Sequence, residues 1–468
     1  MSKPKLIFPL LFALLLAARM CHVGVLWAEE TLPLAAAQQM HAGAVLYRDI
    51  WFDKPPLAPL LYTAIGGAAR TLRLAGALYA LLCCAIVFGF ARDLWSEREG
   101  LWAACLLGFF LVFDFPSSAI PLAADLLMLA PHIAAVWMAW KRRPLWAGAL
   151  AGVAFAVNPK GLVVLAVCAC WAPGWGSIGA LLSGFLAVTA AVSAWLWSAG
   201  ALAAYIDEVW RWGSVYAGTT FVESPLQNGL LRTLNWAGFH AAIAIGAAIA
   251  CRRERWAWRW AFWLAISFAG VAAGLRFFPR YYFQLLPVVV LLAARGFAAL
   301  QSELPGRALA LAVLLVIPLA RFAPPYGMAA RDTARGSTWN DTAMDRDSRA
   351  AGALVRAAAQ PGDTLFVWGY RPEIYVYSRL RAATRFLDSQ PLTGVPADRH
   401  LTQSTPVETS QSRERRAELA RSQPTFIVDG LGEYNPHLAI GQFADLHQWM
   451  AGYREVTRSA GSVIYRRE

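Results

Sequence analysis

The sequence predicts a polytopic α-helical membrane protein with a C-terminal extracytoplasmic α/β domain, and three observations carry that reading. Of 468 residues, 58% are hydrophobic and only 15% charged, too apolar a balance for an ordinary soluble domain. The apolar residues collect into runs approaching the roughly 20 residues a helix needs to cross a bilayer. After about residue 330 the runs give way to alternating helix and strand signals, the pattern of an α/β domain.

Spans are expected near 6–27, 72–91, 100–115, 122–140, 144–157, 160–172, 177–199, 234–251, 258–275, 281–299 and 308–323, about eleven crossings. The first follows a basic start, MSKPKLIF, and reads as an uncleaved signal anchor with the N-terminus inside. An odd number of crossings then puts the C-terminal domain outside. Most of the charges agree: Lys3 and Lys5, Lys141-Arg142-Arg143, Arg252 to Arg259 and Arg295 to Arg307 fall on the cytoplasmic side, where basic residues concentrate, and the exception is Arg92 to Glu99, which nets negative although its Arg92 and Arg98 still fit the rule. Two stretches are shorter than a comfortable crossing. Pro55 to Ala69 is expected to lie at the outer surface, and 144–157 with 160–172, split by Asn158-Pro159-Lys160-Gly161, make two short crossings or one re-entrant pair.

Net charge is +12, of which residues 330–468 hold only +2 (18 Arg against 16 acids). The remaining excess sits among the spans, where it marks cytoplasmic loops and anionic lipid, so nucleic acid is not implied. All seven cysteines lie in apolar segments, which points to helix packing rather than a disulfide framework or zinc site. The domains expected are 1–325, with a first outer loop at 28–70, and 330–468. In the second, helices near 341–359, from Arg371 and near 410–421 alternate with strands TLFVWG, TFIVDG, YREV and SVIYR.

The chemistry is concentrated between the first span and the rest. The stretch LWAEETLPLAAAQQMHAGAVLYRDIWFDKPPL gathers Glu29, Glu30, Asp49, Asp53 and Lys54 at a membrane surface, where charged groups are solvated, paired or used. A pair of glutamates can merely end a span. Carboxylates with an ammonium can instead deprotonate a hydroxyl and neutralise a phosphate. Lysine usage sharpens the choice: against 37 Arg there are five Lys, and Lys54 and Lys160 stand alone in the Pro-bounded breaks KPP and NPK, predicted to face outward. An ammonium meets phosphate as a compact point charge, although Lys160 at a helix end can also snorkel.

Asp125 starts a span on the same side, either as part of this site or as a helix N-terminal anion. Arg276 and Arg280, in RFFPRYYFQLLP, can bind lipid phosphate or anchor at the interface with Tyr281 and Tyr282. His132 and His240 read as packed or hydrogen-bonded histidines rather than metal ligands. Arg19, inside the first span, must snorkel or find an anion. In the last domain Trp368, Tyr370, Arg371, Glu373, Asp429, Glu433 and Tyr434 follow strand ends, where they stack on sugar or simply pack.

Taken together, an acidic pair after the first span, a YRDxWFxKPPL segment, an outer Asp, an xPKG break and an RYYFQLLP span resemble the polyprenyl-phosphate-sugar-dependent GT-C glycosyltransferases. The nearest branches are the bacterial relatives of protein O-mannosyltransferases and of the lipid A aminoarabinose transferase, and the resemblance covers about residues 1 to 325. It implies a GT-C-like fold and inverting sugar transfer from a polyprenyl-phosphate donor to a hydroxyl on a lipid, glycan or protein, at the outer face of a bacterial inner membrane. The family's first-loop motif is usually Asp-Glu with the Asp as base, which maps to Glu29 beside Glu30. Lys54, Lys160, Arg276 and Arg280 would meet the donor phosphate, with Asp49, Asp53, Asp125 and Tyr281 around them. Relatives often carry Glu where this chain has Asp53. A divalent metal is associated with some relatives; no His/carboxylate spacing supports one here, and no cofactor is expected. The rival readings are a transporter or lipid flippase with a broken-helix site at Asn158 to Gly161, and a non-catalytic assembly protein.

Overall fold

The computed structural model describes residues 3–172, 174–218, 222–254, 256–330, 340–395 and 399–468. The chain divides into two compact units. One comprises Met1–Gly24, Ala69–Trp195 and Val222–Thr333; the other comprises Val25–Ala68, Leu196–Phe221 and Ala334–Glu468. The opening loop therefore belongs to the same unit as the C-terminal α/β segment. The boundary expected near 330 adjoins residues 331–339, which lie outside the described residues.

Among the described residues four helices are long and apolar enough to cross a membrane: Ala69–Leu94, Trp175–Ser198, Leu286–Glu303 and Pro305–Pro324. Shorter apolar helices, Ala124–Trp140, Pro144–Val157 and Gly161–Trp171, occupy other expected spans. The segment expected as one span at 234–251 is two helices, Pro225–Phe239 and Ala241–Cys251, bent by 88°. His240 sits at the bend with non-helical backbone (φ −102°, ψ 20°), and its Nδ1 donates to the Trp236 carbonyl at 2.9 Å. The span expected from 281 begins later, because Pro279–Gln284 forms a 3₁₀ turn before the helix Leu286–Glu303.

Helix contacts in the first unit rest on small residues. A Cβ on Gly148 would fall 1.8 Å from the Leu181 carbonyl oxygen, and one on Gly184 would fall 2.0 Å from that of Leu145. The helices Pro144–Val157 and Trp175–Ser198 thus touch backbone to backbone, the packing that small residues allow where lipid supplies no hydrophobic drive. Arg19 is fully buried and does not snorkel, and among the described residues no carboxylate pairs with it. It donates to the carbonyls of Ala119 at 2.7 Å and Leu15 at 3.4 Å.

The second unit is built on a five-stranded sheet: β1 (Thr364–Trp368), β2 (Arg381–Ala382), β3 (Phe426–Asp429), β4 (Tyr453–Arg458) and β5 (Val463–Arg467), in the order β2-β1-β3-β5-β4. The β1 and β3 strands pair in parallel, Leu365 opposite Phe426, and both are buried on both faces, as their unbroken apolar runs require. The β5 strand runs antiparallel to β3 and β4. The helices Asn340–Ala358, Glu373–Ser378 and Ser410–Leu419 stand at the expected places. The core extends beyond the α/β segment: Trp51 of the opening loop and Trp212 pack with Phe366, Trp368 and Phe386.

Candidate functional site

In the first unit, Asp125, Lys160, Arg280 and Tyr281 come together. Asp125 lies on the short helix Ala124–Leu127 and is buried. The Lys160 Nζ is 3.9 Å from its Oδ1 and the Arg280 Nε 3.7 Å from its Oδ2. These separations are ion pairs too long for hydrogen bonds. Lys160 also stands 3.2 Å from the centroid of the Tyr281 ring, with the Arg280 guanidinium 5.5 Å from the same ring. The break that presents Lys160 is set locally, since the Asn158 Oδ1 accepts the Lys160 N–H at 3.0 Å and the Gly161 N–H returns to the Asn158 carbonyl at 2.8 Å. Two cations thus flank one carboxylate in a mostly desolvated setting, and such groups can meet an anion.

Arg276 is buried, and its carbonyl accepts from the Asn228 Nδ2 at 3.4 Å. The backbone on either side is unusual: Leu275 has φ 53° and Phe277 has φ 48°. Non-glycine residues rarely adopt this left-handed region, and such outliers concentrate at functional sites.

In the second unit, Glu29 and Glu30 open the helix Ala28–His41. They are not equivalent. Glu30 is 1% exposed, and its Oε1 accepts the Trp27 N–H at 2.9 Å, so it caps the helix it belongs to. Glu29 is half-buried, in the first turn of the same helix. Further along, the Lys54 Nζ meets the Asp53 Oδ1 at 2.7 Å, and the Tyr47 hydroxyl donates to the Lys54 carbonyl at 2.7 Å. Asp49 serves a turn instead: its carboxylate accepts from Arg48 and from the Val45 N–H, each at 2.8 Å.

Three residues of this unit escaped sequence reasoning. Glu208 lies in a π-helical turn, Ile206–Arg211, fully buried, and its Oε2 accepts the Phe52 N–H at 2.8 Å. Single π turns recur at functional sites. Arg385 pairs with Glu208. Asp388 is also fully buried. Its Oδ1 accepts the Gln390 N–H at 2.8 Å, its Oδ2 has no hydrogen-bond partner among the described residues, and it feels the charges of Asp53 and Lys54. The one signal available was a carboxylate amid aromatics in YIDEVWRW; Arg385 and Asp388 had none.

His132 accepts from the Trp263 Nε1 at 3.0 Å, and the His240 Nε2 lies 3.3 Å from the Asp114 Oδ2. Among the described residues no group of three or more His, Cys, Asp or Glu is placed to hold a metal ion. The strand-end residues Trp368, Arg371 and Asp429 are buried in hydrogen bonds: to the Leu438 carbonyl, to Ser348, Ser462 and Asp347, and to the Leu431 and Gly432 N–H groups.

The fold is that of the GT-C glycosyltransferases. Over 98% of its length the chain is similar to the crystal structure of ArnT from Cupriavidus metallidurans bound to undecaprenyl phosphate, with a TM-score of 0.59, 17% identity and 97% of that chain covered. The apo state of the same protein matches with a TM-score of 0.53 and 16% identity, covering 93% of this chain and 92% of that one. The apo oligosaccharyltransferase of Archaeoglobus fulgidus matches with a TM-score of 0.50 and 13% identity, covering 91% of this chain and 69% of that one. At such identities the likeness is one of fold. Neither a protein-family model nor a curated protein matches the sequence.

Proposed function

We propose that this protein is a membrane glycosyltransferase that moves a sugar from a polyprenyl-phosphate donor to an acceptor hydroxyl at the outer face of a bacterial inner membrane. The observation that carries the reading is the fold shared along nearly the whole chain with a protein whose structure holds undecaprenyl phosphate. The Lys160–Asp125–Arg280 cluster supports it, because it offers cations to a phosphate.

The acceptor oxygen attacks the anomeric carbon, the bond from that carbon to the phosphate oxygen breaks, and polyprenyl phosphate departs with the electron pair. Glu29 takes the acceptor proton; Glu30, the alternative base, is engaged at the helix N-terminus. A single displacement inverts the configuration. Lys54, Lys160, Arg276 and Arg280 neutralise the leaving phosphate, worth about 3 kcal/mol for a well-placed donor. Asp53 and Asp125 hold the lysines in the absence of donor, Asp49 shapes the loop, and Tyr281 faces the Lys160 ammonium. The reaction so drawn uses side-chain cations and no metal. The same reading keeps about eleven crossings, the N-terminus in the cytoplasm and residues 330–468 outside.

The test is release of free polyprenyl phosphate from a polyprenyl-phosphate sugar by the purified protein with a cell-envelope acceptor extract. Turnover that disappears in Glu29→Gln supports the proposal. A protein that moves the lipid across a bilayer without cleaving it is a transporter, and one that does neither is an assembly factor.

A further inference from the structure

Two stretches of the second unit, distant in sequence, converge on the backbone that carries Lys54. The Phe52 N–H donates to the Glu208 Oε2 at 2.8 Å, and the Trp51 N–H donates to the Arg385 carbonyl at 2.8 Å. The Arg385 guanidinium donates to the Tyr47 carbonyl at 3.2 Å and pairs with Glu208. Tyr47 itself has φ 67°, a left-handed backbone disfavoured for an aromatic residue, and is fully buried with its hydroxyl closed onto the Lys54 carbonyl. A strained conformation persists only when its surroundings over-determine it. Beyond Lys54 come Pro55 and Pro56, whose rings restrict the backbone on that side.

Such an arrangement is costly unless it serves a purpose. Glu208 is a carboxylate with no exposed surface, and a buried charge is tolerated only with a partner and further hydrogen bonds. Its partner comes from the C-terminal segment and its hydrogen bond from the opening loop. We infer that Glu208 and Arg385 are positioning residues that hold the Tyr47–Lys54 strap, and through it the Lys54 ammonium, in one place. The C-terminal segment thereby contributes to the loop chemistry without touching substrate. That Lys54 so held meets a donor phosphate rests on the function proposed above.

The full chain in lipid nanodiscs tests this in two arms. In the first, Lys54 and Lys141 are acetylated with an amine-reactive ester and followed by mass spectrometry; Lys141 lies outside this unit, paired with Asp93 at 2.6 Å, and serves as the internal control. Glu208→Gln and Arg385→Met are expected to change the Lys54 labelling rate about fivefold while Lys141 keeps its own, and the double variant adds little to either single one. Unchanged Lys54 labelling in folded variants overturns the inference, as does an equal change at both lysines, which would mean general loosening. Should either variant fail to fold, Tyr47→Phe removes one hydrogen bond and keeps the ring, and the same shift at Lys54 alone is expected, smaller in size; no shift overturns the inference.

In the second arm, undecaprenyl phosphate is titrated onto wild type, Lys54→Met, Glu208→Gln and the Lys54→Met/Glu208→Gln double variant. Glu208→Gln is expected to weaken binding about fivefold in the wild-type background and not further once Lys54 is gone. Equal losses in both backgrounds count against positioning. Wild-type affinity in Lys54→Met removes the phosphate role of Lys54, while the labelling result still decides whether Glu208 and Arg385 position it.

Discussion

The Glu30 carboxylate accepts the Trp27 N–H at 2.9 Å, closing the N-terminus of the helix that also carries Glu29. The proposed function therefore predicts separable jobs for the neighbouring glutamates. Glu29→Gln should lower sugar transfer at least about 100-fold with melting unchanged, as loss of a general base does. Glu30→Gln should cost about 1 kcal/mol of stability, the usual worth of a cap, and retain most of the transfer. Steady-state rates and melting curves of the two variants decide; the reverse pattern would make Glu30 the base.

Lys160 offers a second separation. Its ammonium faces the Tyr281 ring at 3.2 Å and Asp125 at 3.9 Å. Lys160→Met should weaken undecaprenyl phosphate binding about tenfold, the scale of one charge-assisted contact, and Tyr281→Leu by less, since a cation–π contact contributes about 1 kcal/mol. Calorimetric titration in nanodiscs measures both. Equal affinity in Lys160→Met and wild type would leave the cluster a structural ion pair.

Stability should depend on pH through Asp388. Burial pushes its carboxyl from 3.8 up to about 7, against the opposing Gln390 N–H, with Asp53 adding to the rise and Lys54 countering it. A carboxyl raised in the folded state binds its proton more tightly there, so the Asp388 contribution to stability is greatest below 3.8 and is lost as pH climbs to 7. Asp388→Asn should flatten the fall in melting temperature between about pH 5 and pH 8 and melt above wild type at the upper end. The residual slope includes Asp345, raised by burial to about 7 in the same unit despite its hydrogen bond from Tyr377. An unaltered pH profile in Asp388→Asn would mean that Asp388 is ionised at little cost.

Where the helices of Gly148 and Gly184 meet, a side chain has no room. Gly184→Val should lower the yield of folded protein and cost about 3 kcal/mol or more, as overpacking a tight contact does. Gly179→Val on the same helix, where a Cβ meets nothing within 4 Å, should be nearly silent. Detergent-resistance melting of the two variants compares them directly.

Chelation gives a further check on the chemistry as drawn. Prolonged EDTA treatment followed by gel filtration should leave donor turnover unchanged if, as proposed, side-chain cations neutralise the leaving phosphate. Turnover lost with EDTA and restored by a divalent ion would assign that task to a metal.

Much of this protein is written locally. The run TLFVWG forms a strand because apolar and β-branched residues suit a pleat buried on both faces, and TFIVDG pairs beside it for the same reason. The isolated lysines of KPP and NPK stand in the breaks their prolines dictate. By contrast, at the 88° bend the Trp236 carbonyl accepts both the backbone N–H and the Nδ1 of His240, and nothing in the apolar count of 234–251 records that.

What the sequence by itself determined is therefore the class of fold and the α/β elements of the tail, both products of local composition and periodicity. Tertiary structure alone decided that Glu30 is occupied as a cap, that Lys160 lies against Tyr281, and that Glu208 and Arg385 grip the loop of Lys54. Phe52 and Glu208 are separated by 156 residues, and Arg385 and Tyr47 by 338. Hydrogen bonds over such separations depend on where the whole chain returns, and hydropathy within a window carries no trace of them.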